Sequence, residues 1–133
     1  MSIVDDIRAT LDAKLASIAG LPPIAFENAP FKQQAGQSHL RVRFFLTSRR
    51  PAVRGPTPQH RYQGLYRIIV ATPSETGSGA ALGVADTLLD EFNGSTNVQG
   101  NPIVSIEYSE LGSPFKDEPF YCIPVEIAWY VYG

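Results

Sequence analysis

The sequence predicts an α+β fold, a single domain in which two helices pack on one face of a mainly antiparallel or mixed sheet of about four to five strands. Two segments place apolar residues at helical spacing, and the remaining β-prone segments alternate apolar and polar residues. Their order along the chain is α-β-β-β-α-β-β, with hairpin-length links. The 133 residues suffice for one hydrophobic core, so one domain is expected to span residues 1–133.

The chain opens with an amphipathic helix. Apolar residues recur at every third or fourth position from Ile3 to Ile18, Ser2 is the candidate N-cap, and Gly20 marks the end. A short apolar strand is expected from Ile24 to Glu27. His39 to Leu46 alternates apolar and polar side chains, so one face of this strand is expected to join the core.

Tyr62 to Thr72 is predicted to be a central strand. It is strongly β-prone and apolar on both faces near its end, which indicates cover on both sides, by the fold itself or by a neighbouring subunit. Gly64 within this strand marks a bulge or a close approach of another group.

A long loop is predicted from Thr47 to Arg61. This segment of 15 residues contains three prolines and four arginines, which is too much proline for a helix or a strand. Loops of this length inside a small domain are usually functional or disordered. Repulsion among the arginines predicts that residues 47–61 are mobile in the isolated monomer and become ordered on a partner, if there is one.

The second half of the chain supplies one helix and two strands. The helix is expected from Ala80 to Phe92, and Ile103 to Tyr108 alternates as a strand. Phe120 to Tyr132 closes the chain as a strand with an uninterrupted apolar face. Pro124 in this strand cannot donate to a β-ladder, which predicts an edge position or a bulge.

Charge is divided unevenly along the chain. Nine acidic residues from Glu75 onward face a single base, Lys116, whereas the segment from Asn28 to Ser74 has eight basic residues and no acid. The eight are Lys32, Arg41, Arg43, Arg49, Arg50, Arg54, Arg61 and Arg67. The basic and acidic segments can neutralise each other within one fold, or the basic surface of one copy can pair with the acidic surface of the next. Head-to-tail pairing of that kind makes rings.

Little in the sequence indicates catalysis or metal binding. His39 and His60 are not at metal-ligand spacing from Cys122 or from paired carboxylates, and they are expected at a strand start on the surface and in the mobile loop. Residues 77–79 (Gly-Ser-Gly) lack the lysine of a phosphate-binding loop, so they are predicted to be a turn whose Ser78 caps a helix. No cofactor, metal ion or catalytic residue is expected.

The sequence also bears on location. The N-terminus has no basic segment followed by an apolar run, and no stretch approaches the roughly 18 apolar residues of a membrane span. Neither a classical secretion signal nor a membrane-spanning segment is therefore expected. The single Cys122 lies in an apolar run and is predicted to be buried, which suits a reducing cytoplasm.

One basic patch with interleaved aromatic residues can carry function. It consists of Arg41, Arg43, Phe45, Arg49, Arg50, Arg54, Arg61, Tyr62, Tyr66 and Arg67. Arginines neutralise phosphates and aromatic rings stack on bases, so a small nucleic-acid-binding module is one alternative. The sequence pI of about 5.6 argues against it. A solvated face without a role is another alternative, and an assembly interface is favoured over both.

Five segments, in order along nearly the whole chain, resemble the U-protein-like tail terminator, or tail-completion, proteins of long-tailed bacteriophages. They are Glu27-Asn28-Ala29-Pro30-Phe31, Leu40-Arg41-Val42, Arg61-Tyr62-Gln63-Gly64-Leu65-Tyr66, Gly77-Ser78-Gly79-Ala80-Ala81 and Ile123-Pro124-Val125-Glu126-Ile127-Ala128-Trp129-Tyr130. The resemblance implies a non-enzymatic α+β protein, made in the bacterial host cytoplasm, that forms a ring, generally a hexamer, in the neck region of the virion tail. Its partners would be itself, the tail tube protein and a head-completion or connector protein, with at most non-specific contact to DNA in the lumen. Another head-tail connector protein remains an alternative.

The residues of the interface are hypothesised from local physics. The basic residues expected to meet an adjacent subunit or the tube are Arg41, Arg43, Arg49, Arg50 and Arg54. Their acidic candidates are Asp86, Asp90, Glu91, Glu107 and Glu110. Phe45 and Tyr62 are candidate apolar anchors at the centre of the interface, with ordinary sheet packing as the alternative for both.

Overall fold

The computed structural model describes residues 2–27, 31–32, 36–53, 59–75 and 77–133, with the backbone alone for residues 52 and 53. Within these ranges the chain forms two helices and seven strands. They are α1 (Ile3–Ser17), β1 (Ile24–Ala25), β2 (His39–Val53), β3 (Gln59–Pro73), α2 (Gly79–Glu91), β4 (Asn97–Val98), β5 (Val104–Leu111), β6 (Phe115–Asp117) and β7 (Phe120–Tyr132). Ser2 caps α1 by accepting a hydrogen bond from Asp5 N at 3.3 Å, whereas the Ser78 side chain makes no capping bond to any described residue, contrary to expectation.

The strands form one mixed sheet in the order β1-β2-β3-β7-β5-β4, and β6 pairs with β7. β1 runs parallel to β2, and every other pair in the described chain is antiparallel. β3 and β7 form the centre of the sheet, since they pair without interruption from Arg61↔Tyr132 to Pro73↔Phe120. β5 and β6 follow one another along the other edge of β7, with a break between Leu111 and Phe115.

The two helices pack on one face of the sheet, as the sequence predicts. Alternate residues of β3 point into this core, which also contains the apolar faces of both helices, β2, β5 and β7. Its largest fully buried side chains include Trp129, Tyr66, Phe92, Leu11 and Ile127. We call the opposite side, which carries Leu65 and Arg67 of β3, the helix-free face.

A small second cluster covers one end of the helix-free face. It consists of Ala71, Phe120 and Cys122, all fully buried, with Ile69 packed against them. The end of β3 is therefore covered on both sides within the fold, which explains why it is apolar on both faces. Cys122 is a buried free cysteine, as predicted, and burial raises the pKa of its thiol.

The α+β class is confirmed, but the sheet has more strands than predicted. β4 and β6 are two and three residues long, too short to show an alternating pattern. The five predicted strands all exist, and β7 has the predicted bounds. The apolar and alternating patterns of the sequence predict these five strands. β4 and β6 form because the longer strands β5 and β7 provide an edge with which they pair.

The loop predicted for residues 47–61 is largely a continuation of the β2–β3 hairpin, so that part of the prediction is wrong. β2 extends to Val53 and β3 begins at Gln59; residues 54–58, with Arg54, lie outside the described part. Pro51 is tolerated because β2 is close to the sheet edge and the residue opposite, His60, turns its backbone away: His60 N and O bond to Gly133 O and N, each at 2.9 Å.

Pro124 lies at a break in the ladder rather than at a sheet edge. Its carbonyl accepts a hydrogen bond from Gly112 N at 2.8 Å, on the side of β7 that faces β5 and β6. The proline nitrogen points to the same side, where the pairing is interrupted between Leu111 and Phe115. Neither the predicted edge position nor a bulge of β7 is therefore present, and the gap between β5 and β6 accommodates the proline.

We expect Tyr66→Phe to lower the free energy of unfolding by about 1.5–3 kcal/mol, because it removes a buried hydrogen bond to a charged carboxylate. Tyr66 is fully buried, and its hydroxyl donates to the carboxylate of Asp12, which pairs with Arg8 at 2.6 Å. Burial raises the pKa of the Tyr66 hydroxyl, so it remains a donor throughout the neutral range. Urea unfolding measures the change. Tyr132→Phe is the control, since Tyr132 is 52% exposed; equal losses in the two variants would contradict the prediction.

Candidate assembly interface

The distal part of the β2–β3 hairpin, residues 47–53 and 59–62, is called the arm. It begins at a β-bulge: Leu46 pairs with Gly64, the next pair is Ser48↔Gln63, and Thr47 is the extra residue. The extra residue reverses the alternation of side chains along β2. From Ser48 to Pro51, odd-numbered residues of β2 therefore lie on the helix-covered side and even-numbered residues on the helix-free side.

The arm carries positive charge that the described chain does not neutralise. Arg50 and Arg61 are directly opposite each other on the helix-free side, and the Arg61 guanidinium lies 4.8 Å from the centre of the Tyr130 ring. Arg49 is on the other side, where its Nε donates to the Tyr62 hydroxyl at 3.1 Å. Among the described residues none of these three arginines has a carboxylate within 4.0 Å.

The other predicted basic residues are paired within the chain to different degrees. Arg41 binds Asp117 at 2.6 Å and donates to His39, so its charge is already compensated. Arg43 is mostly exposed and lies 3.8 Å from Glu27, a long and weak contact.

The acidic candidates also include both paired and unpaired residues. Glu91 pairs with Lys14 at 2.9 Å, which links the two helices. Asp86 and Asp90 lie on the exposed side of α2, and Glu107 and Glu110 are exposed on β5. The last four have no basic partner within 4.0 Å among the described residues. These four unpaired carboxylates thus lie on α2 and β5, whereas the three unpaired arginines lie on the arm.

The two apolar candidates have different environments. Tyr62 is only 6% exposed and belongs to the core, as ordinary sheet packing requires. Phe45 is 39% exposed on the helix-free face, with the Arg67 guanidinium 5.2 Å from its ring centre. The sequence does not single out Tyr108, which is 45% exposed on β5. Only the order of strands in the sheet shows that Tyr108 lies on β5 beyond the part that β4 covers.

His39 was expected on the surface, and this is wrong. It is 2% exposed because its ring packs against Phe31 and edge-on against Phe120, at 5.5 and 4.8 Å between ring centres. Burial lowers the pKa of His39; the charge of Arg41 adds to this effect and the charge of Asp117 opposes it.

This lowered pKa predicts that the protein loses stability in mild acid. The folded state prefers neutral His39, so its contribution is complete above the unfolded pKa of 6.5 and declines as the pH falls below that value toward the folded pKa. Unfolding by urea between pH 7 and pH 5 measures the slope. His39→Gln should be less stable at neutral pH but lose less on acidification, whereas an unchanged slope would contradict the assignment.

The described part of the surface presents charged and exposed apolar side chains. In the described ranges no three histidine, cysteine or carboxylate side chains come together as metal ligands, and no helix has the length and hydropathy to cross a membrane. What the surface offers is charge and exposed apolar side chains on strands, and such features serve contacts between proteins.

Comparison with known proteins decides the family. The family model described as "Phage tail terminator protein" matches residues 6–129, nearly the whole chain. The chain belongs to the phage tail terminator family. Members of the family are structural proteins of phage tails rather than enzymes. The resemblance noted in the sequence is thereby confirmed, and with it a structural role in tail completion.

The fold is also found among solved structures. One solved chain is 25% identical and superposes with a TM-score of 0.73, over 98% of this chain and 96% of its own length. The terminator fold described above is therefore a known one. No curated protein matches the sequence.

Proposed function

We propose that the protein forms a hexameric ring that caps the head-proximal end of the tail tube. The ring ends polymerisation of the tube and offers the surface to which the filled head is joined. Its partners are other copies of itself, the tail tube protein and a head-completion or connector protein, with at most non-specific contact to DNA passing through the lumen. It is made in the host cytoplasm and resides in the neck of the virion.

The observation that carries this proposal is the separation of unpaired charges. Arg49, Arg50 and Arg61 are on the arm, whereas the four unpaired acidic candidates, Asp86, Asp90, Glu107 and Glu110, are on α2 and β5. A surface that is complementary to a different surface of an identical copy makes a heterologous contact, and repeated heterologous contacts close into a ring. A twofold dimer would instead require one self-complementary patch.

Electron microscopy of particles lacking the gene tests the proposal. Overlong or ragged tails separated from filled heads are the expected result, because the loss of a length stop lets the tube continue to grow. Tails of normal length without heads would replace this function with that of a neighbouring connector. Intact particles would reject a role in the virion.

A DNA-binding measurement with the purified protein addresses the alternative use of the arm. A ring that only surrounds DNA should bind it weakly and without sequence preference at near-physiological salt. Tight, salt-sensitive binding by the monomer would contradict the assembly role of the arm arginines and favour a nucleic-acid-binding module.

A further inference from the structure

We propose that copies join edge to edge through the two long strands nearest the margins of the sheet, with residues 43–46 of β2 pairing antiparallel to residues 107–110 of β5 in the next copy. The inference rests on the proposed ring and specifies how its subunits are held together. The ring would then contain one continuous sheet that crosses every subunit boundary.

β2 and β5 each have an edge left open within the described chain. β1 covers β2 only at Leu40 and Arg41, and the β4 strand covers β5 only at Val104 and Ser105. The loop after α2 adds bonds to Ile106, and no described backbone group bonds to the outer edge of β5 from there to Leu111. Open edges of this kind are templates for pairing with another chain.

Strand directions favour the pairing. β2 and β3 are antiparallel, as are β3 and β7, and β7 and β5, so β2 and β5 run in opposite directions at the two sides of the sheet. A second copy in the same orientation beside the first would place its β2 antiparallel to β5. The alternation of strand directions then continues through the boundary, and the contact is head to tail.

The charges along one row of the helix-free face point to the same register. Pairing places Arg43 opposite Arg67, Arg67 opposite Glu126, and Glu126 opposite Glu110. The middle pair is an ion pair of 2.9 Å. The outer two pairs are like charges, which destabilise a sheet when they lie directly opposite. A neighbouring copy resolves both conflicts, because Glu110 then meets Arg43.

The adjacent row of the same face is apolar. It consists of Phe45, Leu65, Ala128 and Tyr108, paired in that order. The aromatic residues at its two ends are 39% and 45% exposed. The register that brings Glu110 to Arg43 also brings Tyr108 to Phe45, and cross-strand aromatic pairs are favourable.

The backbone groups fit this register as well. Phe44 N donates outward, to the Glu27 carboxylate at 2.8 Å. Because the Pro124 carbonyl faces β5, so do Glu126 and Ala128, which lie opposite Glu110 and Tyr108, and the backbone groups of Ser109 between them point outward. Ser109 is the residue that lies opposite Phe44 in the proposed register. Glu27 thus protects the edge of the single chain and must leave when a neighbour pairs, which disfavours association of free copies.

A cysteine pair tests the register directly. Phe45 and Tyr108 of one chain are three strand spacings apart, about 14 Å, too far for a disulfide. In Phe45→Cys with Tyr108→Cys, we expect mild oxidation of assembled tails to give a ladder up to the closed ring on a non-reducing gel. Cys122 is fully buried and should not compete. A bond within one chain would appear as a monomer band and would contradict the proposal.

The matched control is Phe45→Cys with Glu118→Cys, which pairs the same β2 position with an exposed residue of the β6–β7 turn. It should give no ladder. If rings are visible on tails by microscopy but the Phe45–Tyr108 cysteines remain unlinked, the edge pairing is wrong while the proposed function stands. If no ring is found on tails, and tails without the gene have normal length, the proposed function fails as well.

A charge exchange provides the second measurement. Arg43→Glu and Glu110→Arg should each weaken self-association by about fivefold per contact, the upper range for an exposed ion pair. The double exchange should restore it to within about twofold of the parent, since the pair is re-formed with reversed polarity. Losses that simply add in the double variant would overturn the contact between these two residues.

Discussion

Gly64→Ala is expected to destabilise the protein by about 3 kcal/mol or more, one of the largest effects of a single methyl group in this chain. A Cβ at Gly64 would lie 1.9 Å from the carbonyl oxygen of Phe45 and 2.7 Å from the Trp129 ring. The first contact is with backbone, which cannot rotate away. The second is with a fully buried ring that is stacked on Phe44 at 5.3 Å between ring centres. Thermal unfolding should show a midpoint lower by roughly 10 °C.

Gly83→Ala is the matched control for this effect. Gly83 lies within α2, and a Cβ there would meet no atom within 4 Å. Alanine is a better helix former than glycine, so this variant should be more stable than the parent by about 0.5–1 kcal/mol. Equal behaviour of the two variants would mean that the close approach at Gly64 does not exist in solution.

Arg50→Glu is expected to weaken assembly on the tail while leaving the monomer at least as stable as the parent. Arg50 and Arg61 lie directly opposite each other, a like-charge pair that costs about 0.2–1 kcal/mol. The substitution converts this pair into an attractive one within the arm. It also reverses a charge of the proposed interface, at a cost of about 1 kcal/mol per contact, repeated at each subunit of the ring.

The readouts for this variant are thermal unfolding of the free protein and the yield of tails of normal length with attached heads. The loss should be larger at low than at high salt, because ions screen exposed charges. Lys32→Glu is the control, an equal charge reversal at an exposed residue outside the arm. If Arg49→Glu with Arg50→Glu assembles as well as the parent at every ionic strength, the arm is not part of the interface.

Much of the fold is predictable because long periodic segments determine their own structure. α1, α2 and β7 follow from the spacing of their apolar residues, and Gly64 indicates the close packing that the structure shows. The arm is not predictable in this way. Pro51 and the two prolines that follow it argue against a strand here, but β2 near the sheet edge is free of the ladder bonds that Pro51 cannot make.

The candidate site is predictable in composition and not in arrangement. The uneven charge along the chain indicates complementary surfaces, yet Arg41 and Glu91 turn out to pair within the fold. Tyr62 and Phe45 are aromatic residues of neighbouring strands. They differ in burial, because Tyr62 is buried in the core whereas Phe45 is exposed. Tyr108 is an interface candidate because β5 lies near the margin of the sheet. That position depends on long-range pairing, which local sequence does not encode.

The bulge at Thr47 determines which arginines of the arm lie on each side of the sheet. If Thr47 instead paired with Gln63, without a bulge, every arginine would keep its place in the sequence but change sides, so that Arg49 faced where Arg50 does now. Two relatives with identical arm residues can therefore present opposite surfaces if only one of them has the bulge, whereas a relative that lacks both Thr47 and the bulge keeps every arginine on its present side. Comparison of terminators from different phages should accordingly align arm residues by the side of the sheet they occupy, before any substitution is interpreted as a change of partner.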